Sequence, residues 1–258
     1  PSRRDRDDEL GGDQVEGRRS VRELLLAGSR PVRDVWMADD LEPSALLAEI
    51  AELALQRRVP LRRVAQARLA AEARTEVPQG VLAHAAPITE GDPGEMSRRR
   101  GRRAPFLVVL DGVTDPHNLG ALLRTAEAAG VTGVLLPRHR SVHVTPAVTK
   151  AAAGAVEHVV MALVAGVPAA LSALSEAGVW SVGLDPSAPA SLFDLDLGPE
   201  PVALVLGSEG RGLGRLAGRR CDVLARIPQQ GRSSSLNVAA AAAVACFEVA
   251  RRRSGARA

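Results

Sequence analysis

Tyrosine is absent from this chain of 258 residues; with three phenylalanines and two tryptophans, aromatics make up 2% of it. A core must therefore be assembled from Ala, Val and Leu, and a nucleic-acid site made of bases stacked on rows of aromatic rings is a poor fit. Cysteine is scarce as well. Cys221 and Cys246 lack metal-ligand spacing, and no signal peptide is recognisable, so a reduced, cytoplasmic protein without a metal is expected. Long hydrophobic runs are missing: the alanine-rich run at 239–246 falls well short of the ~18 residues that span a bilayer, so no membrane role is expected. Lysine is almost missing, Lys150 being the single one among 33 basic residues. Positive charge is thus carried by arginine, which suits bidentate contact with phosphate. The net charge is only +3, but arginine clusters in "SRRRGRR" (97–103), between Arg211 and Arg232, and in "RRR" (251–253). Each cluster fits either phosphate contact or solvated surface charge.

The length allows one large domain or two modest ones. Residues 1–14 are charged and glycine-containing, which predicts a disordered tail. Over 15–86 the pattern is that of a small α/β domain. "SVRELLLAG" reads as a helix closed by Gly28, "VRDVWMA" as a strand, "PSALLAEIAELALQRR" as an amphipathic helix, "VPLRRV" as a strand, "AQARLAAEAR" as a helix and "GVLAHA" as a last strand. Residues 87–104 turn to Pro, Gly, Asp and Arg without apolar periodicity, and read as a linker. A second α/β pattern fills 105–254. About six short apolar strands ("FLVVLDG", "GVLLP", "VVMALV", "VWSVGLD", "PVALVLG", "DVLARIP") alternate with helices, as in a parallel sheet covered on both faces.

Three stretches of this second domain could carry chemistry. In "LDGVTDPHNLGALLRTAEAAG" (110–130) a strand runs through a turn into a helix, with Asn118 at its start and Arg124 about two turns inside; an N-cap and a surface arginine would look the same. In "LVLGSEGRGL" (204–213) a strand ends in glycines that let backbone amides approach a ligand, although the Gly-Lys-Ser/Thr ending of a P-loop is absent and an ordinary turn with an exposed Glu209 remains open. In "RIPQQGRSSSLNVAAAAAVACFEVARRR" (226–253) Gly231, three serines and Asn237 precede an alanine-rich helix, as an anion-binding helix start or as capping by Ser235 or Asn237. His139 and His143 stand four apart with no third ligand nearby, and no nucleophile elbow or Cys-His pair is evident.

In this order and at these separations, the three stretches together resemble the motifs of the SpoU (TrmH) family of RNA ribose 2′-O-methyltransferases. The resemblance covers Phe106 to Arg253 and is most specific in "IPQQGRSSSLNVAAA". Asn118 and Arg124 fall in the first motif, Glu209 in the second, and Ser235 and Asn237 in the third. Residues 15–85 look like the small RNA-binding domain, itself similar to a ribosomal protein, that precedes the catalytic domain in RlmB-type members. The resemblance implies an α/β parallel sheet with a deep trefoil knot, a homodimer with sites near the shared interface, and S-adenosylmethionine as cofactor. The matching cofactor positions are Leu206, Gly207, Ile227 and Leu236, with Gly210 and Gln229 nearby and "VGLD" (182–185), hence Leu184, closing one side. Gln229 departs from the family, where many relatives carry Met. The implied activity is methyl transfer to a guanosine 2′-hydroxyl of 23S rRNA, with Arg124 proposed in the family as base or phosphate ligand, Asn118 orienting it, Glu209 organising its loop, and Ser235 and Asn237 bonding nucleotide or cofactor. A tRNA ribose methyltransferase, an rRNA methyltransferase conferring antibiotic resistance and a ribosome-assembly factor without catalysis are the alternatives.

Overall fold

The computed structural model describes residues 9–101, 103–231 and 235–255. The first domain forms where short apolar runs meet turn and cap residues. Its elements are β1 (Gln14–Glu16), α1 (Arg18–Ala27), β2 (Val32–Ala38), α2 (Ala45–Gln56), β3 (Leu61–Val64), α3 (Gln66–Glu72) and β4 (Val81–Ala85). α1 ends at Gly28 in the left-handed conformation, and the Ser44 side chain accepts from Leu47 N–H at the start of α2. The sheet runs β1-β4-β2-β3, with β4 antiparallel to both neighbours and β2 parallel to β3. Leu24, Leu25, Ile50 and Ala54 pack onto it against Val35, Met37, Val81 and Ala83.

Two expectations change here. Residues 1–8 of the expected tail lie outside the described residues, but ordered chain begins before the boundary at 15: Leu10 is fully buried, Gly11 bridges Val144, and β1 starts at Gln14. Gln14 and Glu16 are polar yet buried because each is tied into hydrogen bonds, although Gln14 Oε1 has no partner among the described residues. Gln14 donates to Glu16 and to the Glu72 carbonyl, and Glu16 accepts from the Arg74 and Thr75 amides. The expected linker holds a one-turn helix, α4 (Pro93–Met96), whose Met96 packs under Gly133.

The second domain contains β5 (Phe106–Asp111), α5 (Pro116–Ala128), β6 (Gly133–Pro137), α6 (Pro146–Ala151), β7 (Met161–Val164), α7 (Val167–Glu176), β8 (Trp180–Leu184), β9 (Ala190–Ser191), β10 (Val202–Gly207), α8 (Arg215–Arg220), β11 (Val223–Arg226) and α9 (Val238–Gly255). Its sheet is parallel throughout, in the order β7-β6-β5-β10-β8-β11-β9. The seventh strand, β9, has two residues and no readable period. Alternate residues of β5 face opposite layers: Phe106, Val108 and Leu110 meet α5, α6 and α9, whereas Leu107 and Val109 meet α7 and α8. With all strands parallel, the loops after β5, β6, β8, β10 and β11 share one edge, where sheets of this type bind ligands.

The two domains are fastened together. Arg30 and Glu157 form an ion pair at 2.6 Å with side chains 4% and 1% exposed, and the same guanidinium donates to the Gly12 and Ala86 carbonyls. Ser20 Oγ donates to the Thr149 carbonyl, Lys150 to the Val77 carbonyl, and Gly12 N–H to the Val144 carbonyl.

Candidate active site

α5 opens with Asp115, whose carboxylate accepts from His117 N–H at 2.9 Å, followed by Pro116 at the first helical position. This start places Asn118 in the first turn, facing inward and 8% exposed. β10 ends at Gly207, and the chain folds back through a small loop closed by two backbone hydrogen bonds between Ser208 and Gly212. A Cβ at Gly207 would lie 2.1 Å from the carbonyl carbon of Gly212 and 2.3 Å from Leu213 N, so only glycine fits this crossing. Asp111, at the end of β5, holds the loop from the side by accepting from Gly214 N–H at 2.7 Å.

The third stretch arrives after β11. Asn237 Oδ1 accepts from Ala239 and Ala240 N–H, so Asn237 caps α9. Its Nδ2 donates both to Asn118 Oδ1 at 2.9 Å and to Glu209 Oε1. One side chain thus caps a helix and ties three loops together, so the capping interpretation holds for Asn237.

Beside this junction lies a cavity of about 390 Å³, within the usual range for small-molecule sites. Every cofactor position expected from the sequence lines it: Leu184, Leu206, Gly207, Gly210, Ile227, Gln229 and Leu236, together with Glu209, Ser235 and Asn237. Sequence reasoning missed Asp185, as a side chain in its own right, Pro186, Gly212, Val238 and Ala241 in the lining, and Asp111 behind it. An acidic residue ending a buried strand was the available signal for Asp111. Arg232, Ser233 and Ser234 lie outside the described residues.

Arg124 is not brought to this cavity. It is exposed on α5, on a different side from Asn118, and its side chain makes no hydrogen bond or ion pair among the described residues. His139 and His143 instead line a larger open cleft of about 1060 Å³ between the domains, with Arg74, Arg138 and Arg140. None of Asn118, Glu209 or Asn237 lines that cleft. Among the described residues no group of three His, Cys, Asp or Glu is placed to hold a metal ion, and no helix is long and apolar enough to cross a membrane. Burial, reinforced by Asp222 and Asp111, pushes the Cys221 thiol up to about 11, and burial pushes Cys246 to about 12. Both stay protonated, which removes them as nucleophiles.

Residues 105–247 match the model of the SpoU rRNA methylase family. The chain belongs to that family. Residues 14–90 match a second model, described as RNA 2′-O ribose methyltransferase substrate binding, which extends the SpoU kinship over the first domain. Among curated proteins, the 23S rRNA (guanosine-2′-O-)-methyltransferase RlmB of Pseudomonas aeruginosa is 38% identical over 93% of this chain and 97% of its own. RlmB of Pseudomonas syringae is 37% identical over 95% of this chain and 98% of its own. Among solved structures, the SpoU methyltransferase AviRb from Streptomyces viridochromogenes, in complex with the cofactor AdoMet, superposes with a TM-score of 0.77. That match is 26% identical and covers 94% of this chain and 90% of AviRb. The loops after β5, β10 and β11 all lie within the residues that match the SpoU model.

Proposed function

We propose that the chain is an S-adenosylmethionine-dependent ribose 2′-O-methyltransferase acting on a guanosine of 23S rRNA. The observation that carries this is the junction of Asn118, Glu209 and Asn237, three residues far apart in sequence, at the mouth of a glycine-pinched cavity. S-adenosylmethionine fits the residues present. Leu206, Ile227 and Leu236 offer apolar walls for its adenine and methylene parts, while Gly207 and Gly210 expose backbone at close approach, and Ser235 and Gln229 add polar contacts. When bound, the cofactor supplies an electrophilic methyl group, so the protein's task is alignment and removal of one proton. Orientation of this kind supplies up to roughly 7–11 kcal/mol in the best intramolecular cases. Asn118 and Asn237 hold the ribose edge of the site, and Glu209 fixes Asn237 from the loop side.

The homodimer is part of the proposal. Ala240, Val244 and Phe247 leave an exposed apolar stripe along α9, and Arg124 stands exposed on α5, which packs against α9. A second copy seated on this face brings Arg124 to the neighbouring site, where it grips the phosphate beside the reacting ribose. The domain plan is 15–86 as the RNA-binding unit and 105–254 as the methyltransferase. A trefoil knot formed by the segment after β11 is supported by the insertion of β10 between β5 and β8 and by the meeting of both knot loops at one cavity.

The test is methyl transfer from labelled S-adenosylmethionine to rRNA and tRNA from cells lacking the gene, with the modified position mapped. Label on a 23S rRNA guanosine 2′-oxygen is expected; label on tRNA reassigns the target, and failure to bind cofactor at millimolar concentration ends the enzyme assignment.

A further inference from the structure

Four exposed arginines, Arg211, Arg215, Arg219 and Arg220, lie between the candidate cavity and β11. None of their side chains makes a hydrogen bond or ion pair among the described residues. The acidic residues around them are already engaged. Asp111 accepts from Gly214 N–H, Glu209 from Asn237, and Asp222 from the Ser181 amide and hydroxyl. Most arginines of the other two clusters differ in both respects. Arg98 pairs with Glu95, Arg99 with Glu200, and Arg251 and Arg252 with Glu248. Arg253 donates to the Ala104, Pro105 and Glu200 carbonyls. Those contacts with residues 104, 105 and 200 sit where β5 and β10 begin, at the opposite sheet edge from the cavity.

Position adds to charge. Arg211 follows Gly210, which lines the cavity. Arg215 and Arg219 follow at four-residue spacing, one helical turn and about 6 Å apart along α8. α8 buries Ala217 in the layer with Leu171 and Leu174, so the arginines lie on the sheet face opposite α5 and α9 and stay open when those helices are covered.

We infer that Arg211, Arg215 and Arg219 form the track for the single-stranded RNA flanking the target nucleotide, pairing with backbone phosphates without reading bases. Guanidinium groups match phosphate geometry, and a chain without tyrosine has little with which to stack bases. The inference rests on the methyltransferase assignment. Its test is the salt dependence of binding to a fluorescein-labelled 15-nucleotide single-stranded RNA of mixed sequence, read by anisotropy. R215Q/R219Q is expected to bind about 10-fold more weakly at moderate salt. The slope of log affinity against log salt should flatten by about 1.4, at ~0.7 for each phosphate contact on a single strand. R215K/R219K keeps most of the slope, and R98Q/R99Q on the far edge keeps all of it. S-adenosylmethionine affinity by calorimetry stays at the wild-type value in R215Q/R219Q. Should that double variant melt early, the single variants R215Q and R219Q are each expected to flatten the slope by about 0.7. A wild-type slope in R215Q/R219Q, or an equal loss in R98Q/R99Q, overturns the track while leaving the enzyme assignment standing. A wild-type protein that binds no RNA at any salt overturns the assignment itself.

Discussion

Replacing Asn237 separates the two jobs its side chain performs. In Asn237→Ala the cap of α9 is lost, which costs about 1 kcal/mol in typical helices. The Nδ2 donor is lost as well, leaving Asn118 Oδ1, in a side chain 8% exposed, without that partner. An orphaned buried acceptor costs a further ~1–3 kcal/mol. The sum is about 2–4 kcal/mol, a fall of roughly 4–16 °C in the melting midpoint for a chain of this size. Asn237→Ser keeps a capping hydroxyl but cannot span to Asn118 and Glu209. It should recover about 1 kcal/mol of stability while remaining as inactive as Asn237→Ala in methyl transfer. The assays are thermal unfolding by circular dichroism and single-turnover methylation, run on both variants. An Asn237→Ala protein that melts with the wild type, or an Asn237→Ser protein with wild-type turnover, refutes the three-loop junction as the organiser of the site.

Other outcomes follow from the same geometry. Gly207→Ala drives a Cβ into the Gly212 and Leu213 backbone, and should abolish S-adenosylmethionine binding in calorimetry while the protein remains folded by circular dichroism. Glu157→Ala strands the buried Arg30 guanidinium and should cost ~3–5 kcal/mol, seen as early release of the first domain in limited proteolysis. In the proposed dimer, mixing Arg124→Ala and Asn237→Ala protomers should restore activity that neither variant has alone, because one site of the mixed dimer would then hold both groups; no recovery after subunit exchange counts against the shared site. Hydrogen bonds from Arg251, with help from Arg252 and against the opposing pull of burial, hold the Glu248 carboxyl down to about 2. Its stabilisation is therefore complete above the ordinary glutamate value near 4.5 and disappears as pH falls from there towards 2. Urea titrations of Glu248→Gln should show a flatter pH dependence across that window.

Periodicity made most helices and strands legible: "VRDVWMA" and "FLVVLDG" are β2 and β5 with nearly the expected bounds. β1 was hidden because Gln14 and Glu16 look solvent-seeking, and only the distant Glu72, Arg74 and Thr75 make their burial tolerable. Strand order was not legible from local pattern, since β10 enters between β5 and β8 through contacts no neighbour in sequence announces. Asn118, Glu209 and Asn237 could be chosen only through family resemblance, because each alone matched an ordinary cap or turn. The arginine clusters show the reverse failure. Composition ranks "SRRRGRR" above the scattered arginines after 210, yet Arg98 and Arg99 are paired with carboxylates, whereas Arg211, whose side chain has no partner among the described residues, directly follows the cavity residue Gly210.

The Arg30–Glu157 pair and the backbone bonds around Val144 make the two domains one body, not two beads on a string. On the proposed RNA-binding role of the first domain, the offset between a feature it grips and the atom modified at the second is built into the protein like the marks on a gauge. Selectivity would then arise from how far apart two features of a folded RNA stand, and an RNA with the right nucleotide at the wrong remove would be passed over.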